Sequence, residues 1–336
     1  MTPVAANYGR VDRKPIAVLH VGLAKCASTY LGDQALSAAR LGAVSALVWR
    51  PFDLLINQAA RELGIGVEAF PDAVNQPVAV APNLPLFGTN ECLTGHFPQP
   101  LRCVSFPAFT GEKMLALQER MAELLRRLSG DALGGFDVRI LLVVRSPKAW
   151  LRSLYRNLVI MGVAQLPQEF FECFGPVAAQ WANVDYLLSL YGGLFSPQNV
   201  CVLPMEMLRD DAAAFFRAVN GLAGAEILSE NDARNVGLSD GASERFRKLW
   251  ADIERIAPPQ ASWNDWTVRY KQQTWEFLHN AILNNPSSVA RANETWKDDS
   301  VSYEMPPALV AELRSRMASL REVDAFHPYL DEYFGP

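Results

Sequence analysis

Little in this chain points to metal or redox chemistry. Its five cysteines (Cys26, Cys92, Cys103, Cys173 and Cys201) are odd in number, widely spaced and without a CxxC pair. That argues against a disulfide framework and against a cysteine-based zinc site. The four histidines, His20, His96, His279 and His327, are scattered and form no HExxH pattern, so no metal is expected. No apolar run approaches the roughly 18 residues of a membrane-spanning helix. The N-terminus lacks the apolar core of a secretory signal, since Met1 to Lys14 mixes Arg10, Asp12, Arg13 and Lys14 with small residues. An excess of positive charge is also missing. With 31 Lys and Arg against 36 Asp and Glu, the net charge is −5, which argues against a dedicated nucleic-acid binder. These absences predict a cytoplasmic protein with no membrane span and no nucleic-acid partner.

What is present is apolar. Half of the 336 residues are hydrophobic, enough for a sizeable core, and global disorder is excluded. The length allows two domains or one large α/β domain. Ile16-Ala-Val-Leu-His-Val21 reads as a buried strand, Gly22 to Tyr30 as a polar turn, and Leu31 to Arg40 as a helix. Strand, small-residue turn and helix open an α/β fold with a parallel sheet. Residues 41–70 read as irregular helix around Leu54, Leu55 and Ile56, ending near Gly64. Residues 71–107 read as a proline-rich extended region with a short strand at Leu84 to Gly88.

Gly111 to Leu128 is amphipathic, with Met114, Leu117, Met121, Leu124, Leu125 and Leu128 on one face, and Gly130 to Asp137 breaks it. Val138-Arg-Ile-Leu-Leu-Val-Val144 reads as the best buried strand, followed by a helix from Trp150 to Met161 stopped by Gly162. A further helix, Val184 to Tyr191, and strand, Asn199 to Leu203, follow. Helices then cover both faces of the sheet. From Gly241 the chain reads as mostly helical, ending in an amphipathic stretch at Leu309, Leu313, Met317 and Leu320. The expected organisation is a flexible tail over 1–14, an α/β core over 15–250, and a mostly helical part over 251–336 packed on the same domain.

Two turns carry chemistry. The first is His20-Val-Gly-Leu-Ala-Lys-Cys-Ala-Ser-Thr-Tyr30. A strand entering a helix through small residues exposes backbone N–H groups to an anion, and Lys25, Ser28 and Thr29 add a charge and two hydroxyls. It is not a Walker A loop, because the Gly-x-x-x-x-Gly before Lys-Ser/Thr is missing. The plainer alternative is an ordinary turn with Ser28 or Thr29 as N-cap. The second is Val143-Val-Arg-Ser-Pro-Lys-Ala-Trp-Leu-Arg-Ser153. Arg145 leaves the C-terminal end of a buried strand, where open α/β sheets place ligands. Ser153 lies eight residues on, and an Arg fork with a hydroxyl would hold a second phosphate. The alternative is an Arg paired with a neighbouring carboxylate and a Ser facing solvent.

Together the two turns resemble the signature of sulfotransferases that use 3′-phosphoadenosine 5′-phosphosulfate (PAPS), of the bacterial and carbohydrate types. In that family a Pro-Lys-x-Gly-Thr-Thr-like loop grips the 5′-phosphosulfate, and an Arg and a Ser eight residues apart grip the 3′-phosphate. Here the loop reads Ala24-Lys25-Cys26-Ala27-Ser28-Thr29, and the pair is Arg145 and Ser153. Further similar blocks are Leu142 to Pro147, Ser153-Leu-Tyr155, Gly162, Glu169-Phe170, Val202-Leu-Pro-Met-Glu-Met-Leu208 and Asn235-Val-Gly-Leu-Ser239. The likeness runs in blocks over residues 16–250 and is weak beyond. Two positions depart from it, Ala24 for the loop proline and Ala27 for the loop glycine. A Cβ at position 27 is tolerated only with φ below zero, and it would crowd close backbone approach to a phosphate.

The resemblance implies a P-loop-like three-layer α/β fold, with a central parallel sheet flanked by helices and a helical C-terminal part. It implies PAPS as co-substrate, 3′-phosphoadenosine 5′-phosphate (PAP) as product, and no metal. Lys25, Cys26, Ala27, Ser28, Thr29 and Tyr30 then bind the 5′ end, and Arg145 and Ser153 the 3′-phosphate. Lys25 would steady the leaving phosphate. For the base, Leu86-Phe-Gly-Thr-Asn-Glu-Cys-Leu-Thr-Gly-His96 leaves a strand expected beside the first. Glu91 matches the glutamate of carbohydrate-type and bacterial members, and His96 is its rival, as a histidine serves in small-molecule enzymes.

The acceptor is expected to be a carbohydrate or small-molecule hydroxyl. Five of the eight tryptophans, Trp250, Trp263, Trp266, Trp275 and Trp296, cluster with Tyr270 near the C-terminus. They read either as a stacking surface for a sugar or aromatic acceptor, or as helix packing or a homo-oligomer contact. Two other functions compete. One is an ATP-dependent kinase, for which the Walker loop is lacking; the other is a non-catalytic nucleotide-binding scaffold, favoured by Ala24 and Ala27.

Overall fold

A computed structural model describes residues 14–48, 50–64, 81, 83–90, 93–94, 110–160, 162–227, 238–256, 273, 285–298 and 301–335. The expected tail falls almost wholly outside them. Five parallel strands form one sheet: β1 (Ile16–His20), β2 (Ser45–Val48), β3 (Leu86–Thr89), β4 (Asp137–Val144) and β5 (Val200–Pro204), in the order β2-β3-β1-β4-β5. β1 sits at the centre and is buried along nearly its whole length. That is why it reads as an unbroken apolar run rather than an alternating one. Its last residue, His20, lies between Thr89 of β3 and Leu141 of β4.

Between β1 and β3 lie α1 (Ser28–Arg40) and α2 (Arg50–Glu62). α1 buries Leu31, Ala35 and Ala38, and α2 buries Phe52, Ile56, Ala59 and Ala60, each a single helical stripe. Gly88 lets Phe52 lie on the sheet, because a Cβ there would meet the Phe52 ring at 2.8 Å. The helical expectation for residues 41–70 holds over α2, which ends near Gly64, and is corrected over β2. β2 is an edge strand of four residues, and only Leu47 is buried, too short and one-sided to announce a period. α1 also starts three residues earlier than expected.

α3 (Gly111–Asp131) is capped by the Thr110 hydroxyl, which accepts from the Lys113 N–H at 3.3 Å. It buries the expected Met114–Leu125 stripe and packs on α5 (Pro167–Trp181). After β4 the chain forms α4 (Pro147–Ile160), α5 and α6 (Val184–Phe195), then β5, α7 (Met205–Asp210) and α8 (Ala212–Ala223). α4 begins at Pro147 rather than Trp150, since proline suits a first helical position. α9 (Asp240–Ile256), α10 (Pro286–Thr295), α11 (Pro307–Ser315) and α12 (Leu330–Phe334) follow. Leu309, Leu313, Met317 and Leu320 are buried as their spacing implies. The helix nevertheless stops at Ser315, and Ala318–Glu322 and Asp324–Tyr329 are 3₁₀ turns. Among the described residues no helix is long and apolar enough to cross a membrane.

Candidate functional site

The strand order fixes where a ligand crevice lies. From β1 the chain crosses towards β2 on one side, and from β4 it crosses to β5 on the other. The C-terminal ends of β1 and β4, direct neighbours, therefore flank the switch point at which open α/β sheets leave a cleft. β1 releases the Gly22–Ala27 loop there, and β4 releases Arg145.

The Gly22–Ala27 loop is bent sharply. Lys25 (φ 66) and Ala27 (φ 64) both take left-handed backbone conformations, and the Cys26 N–H closes a turn on Leu23 O at 3.1 Å. Left-handed residues alternating with others curl successive N–H groups towards one side, the concavity that anions occupy. Ala27 thus does not meet the condition of φ below zero that its Cβ sets. The loop follows a glycine-type path in spite of the methyl group, because its neighbours over-determine it. Trp150 Nε1 donates to Ala24 O at 2.9 Å, Thr94 Oγ1 donates to Gly22 O at 3.2 Å, and Lys25 Nζ donates to Asn157 Oδ1 at 3.0 Å. Ala27 is itself the N-cap of α1 and no side chain caps the helix, so neither Ser28 nor Thr29 plays the capping part. The first turn carries no acidic residue, and the helix dipole there is not offset by one.

Under the loop lies His20, fully buried, its Nδ1 2.8 Å from Thr89 Oγ1. Burial drives its pKa down to about 3, and the ring is neutral. A Cβ on Gly22 would stand 2.2 Å from His20 Nε2, so only glycine lets the chain pass over the ring. Ser28 is buried, Thr29 exposed and Tyr30 half-buried. The Tyr30 ring stacks on Phe216 with centroids 6.2 Å apart.

α4 turns one face to this loop. Trp150 and Asn157 both reach it, as above, and Ser153 lies on the same helical stripe, three residues after one and four before the other. Among the described residues the half-buried Ser153 makes no hydrogen bond and the half-buried Arg145 has no hydrogen-bond or ion-pair partner. Arg145 differs in this from Arg152 and Arg156, both of which bind the buried Asp240. The main chain around Arg145 is held on both sides. Ser146 N–H donates to Glu206 Oε1 at 3.0 Å, and Tyr333 O–H faces Val144 O at 3.0 Å.

Glu91 and His96 lie outside the described residues, as do Trp263, Trp266, Tyr270 and Trp275. β3 does run beside β1, as expected. Of the remaining tryptophans, Trp250 is buried with Nε1 donating to Val159 O at 2.7 Å, and Trp296 packs edge-on to Phe246. Both pack helices. Sequence reasoning missed Asn157 and Tyr333, and it noted Glu206 only within a family-like block, without a role. Asn157 was within reach of the helical period, being one turn beyond Ser153, whereas the joining of Glu206 and Tyr333 to Arg145 has no local signal.

Compared with known proteins, the chain matches no family model, no curated protein and no solved structure. The site's chemistry therefore rests on its geometry. One lysine, a strained loop at a helix N-terminus, and an arginine and a hydroxyl without partners among the described residues stand at one end of a parallel sheet. Such a set is equipped to hold a ligand with two anionic groups.

Proposed function

We propose that the chain is a sulfotransferase that takes the sulfuryl group from PAPS and passes it to an acceptor hydroxyl, with a carbohydrate as the first acceptor class. The observation that carries this reading is the meeting of two anion-binding elements across the β1/β4 switch point. One is the left-handed Lys25 loop; the other is Arg145, without a partner among the described residues, with Ser153 on the α4 stripe that touches that loop. The fold is then of the P-loop-like three-layer kind. Cys26 to Tyr30 surround the 5′ end, and Arg145 and Ser153 hold the 3′-phosphate.

In the reaction the acceptor oxygen attacks sulfur in line while the bond from sulfur to the bridging phosphate oxygen breaks. Lys25 exchanges its bond to Asn157 for the departing oxygen and offsets the charge that develops there. The acceptor proton passes to a base, Glu91 in this reading and His96 as its rival. PAP leaves as product, and the chemistry needs no metal. A second reading, a nucleotide-binding scaffold without turnover, is favoured by one observation. The Ala27 methyl occupies a left-handed position where close backbone approach to a phosphate suits glycine.

Thermal unfolding with PAP, ADP and ATP, each with and without magnesium, tests the site before any acceptor is known. Ligand at 100 times its Kd adds about 2.7 kcal/mol of stability. A rise in the unfolding midpoint with PAP alone, magnesium or not, is expected. A rise only with ATP and magnesium would instead make this a kinase, and no rise with any nucleotide would remove the donor site. Conversion of PAPS to PAP in the presence of an acceptor then separates the transferase from the scaffold.

A further inference from the structure

The main chain on both sides of Arg145 is held by a part of the chain far away in sequence. Val144 and Ser146, its two neighbours, are bound through the main chain to one buried pair, Glu206 at the start of α7 and Tyr333 in α12. Ser146 N–H donates to Glu206 Oε1 at 3.0 Å, and the Tyr333 O–H lies 2.7 Å from Glu206 Oε2 and 3.0 Å from Val144 O. A phenol has one proton, so these two acceptors share it, with the shorter contact to the carboxyl group. Both side chains are buried, Tyr333 completely. Its ring packs edge-on against Phe326, so its position does not depend on the hydroxyl alone. Cys26 of the Lys25 loop is close enough to Tyr333 to act with burial and Glu206 in raising the phenol pKa. The pair thus stands behind both anion-binding elements at once.

We propose that Glu206 and Tyr333 are positioning residues for Arg145, and that α12, at the C-terminal end of the described chain, is thereby part of the specificity device for a 3′-phosphate. This rests on the reading of Arg145 as the 3′-phosphate ligand. An arginine that makes a charged contact must point the right way before the ligand arrives, since a side chain left to search loses affinity in ordering itself. Here the peptide units on either side of Arg145 cannot rotate without breaking a buried hydrogen bond. A guanidinium without a carboxylate partner among the described residues is thus held ready, not tied down.

The test compares the affinities of PAP and adenosine 5′-phosphate, which differ only in the 3′-phosphate, for the full chain and for Tyr333→Phe. The full chain is expected to prefer PAP by at least about tenfold, the range of a charged hydrogen bond. In Tyr333→Phe the preference should fall about threefold to tenfold while the affinity for adenosine 5′-phosphate stays as it was. Glu206→Gln should move the ratio the same way, and it supplies the readout if Tyr333→Phe does not fold. Undiminished PAP preference in both variants overturns the proposal. So does an equal loss of both ligands, which would mark the pair as core structure only. If the full chain itself shows no preference for PAP, the fault lies earlier, in the role given to Arg145.

Discussion

Ala27 concentrates the conflict between the chain's local preference and its fold. At φ 64 and ψ 6 it is in the left-handed region, which costs a residue with a Cβ roughly 1 kcal/mol relative to glycine. Three side-chain hydrogen bonds from α4 and the β3 segment hold the loop, and so the strain stays. Ala27→Gly should accordingly raise the unfolding midpoint, by about 2 °C for a change of roughly 1 kcal/mol in a chain of this size. Nucleotide affinity should be equal or better, because removing the methyl opens the backbone N–H groups. A midpoint that stays put or falls would mean that the alanine does not bear this strain. The residue types at the site were legible: Lys25, Ser28, Arg145 and Ser153 stand where a strand gives way to a helix. Their conformation was not. Nothing local in Ala24-Lys25-Cys26-Ala27 says that two of the four residues go left-handed, since tertiary bonds to Trp150, Asn157 and Thr94 impose it.

At the scale of elements, α4 decides whether the site exists. One stripe of it, Trp150, Ser153 and Asn157, belongs to the loop, and the neighbouring stripe, Arg152 and Arg156, grips Asp240 at the start of α9. Asp240 also accepts the Tyr303 N–H at 3.2 Å. Its rotational setting is therefore fixed from outside the site. Asp240→Ala leaves a buried N–H unsatisfied and two guanidinia without their carboxylate. Both arginines keep about a third of their surface in water, so the loss should be about 2–3 kcal/mol rather than the 3–5 of a wholly buried pair. Asp240→Asn, which retains an acceptor for Tyr303, should lose less. Denaturant unfolding measures both, and equal losses would show that charge does not matter at this joint. Elements were legible in proportion to how continuously they are buried. β1 and β4 announced themselves as apolar runs, and α3 as a stripe. β2, with one buried residue in four, did not, and neither did α12, whose place is set by a contact 127 residues away in sequence.

For the whole molecule, two kinds of group make stability depend on pH, and both act in the same direction. His20 is neutral when folded, with its pKa lowered by burial to about 3 from an ordinary 6.5. Between those values the unfolded chain binds a proton at this position that the folded chain does not, so stability rises with pH and falls on acidification. The slope approaches about 1.4 kcal/mol per pH unit well below pH 6.5. Asp240 adds a second stage: burial raises its pKa, but the bonds from Arg152 and Arg156 prevail and hold it below the usual carboxylate value of 3.8. Its contribution is complete above that value and is lost as pH falls beneath it. An acid unfolding curve should therefore have two limbs, a histidine limb below pH 6.5 and a carboxylate limb below about pH 4. Replacing the ring by a group that does not titrate, His20→Gln, should flatten the first limb and leave the second. Denaturant midpoints at pH 7.5, 5.5 and 4.5 for both proteins read this directly. If the two slopes agree between pH 6.5 and 4.5, the imidazole under the Gly22 loop is open to protonation. The loop would then lack the dry, neutral floor on which its shape depends.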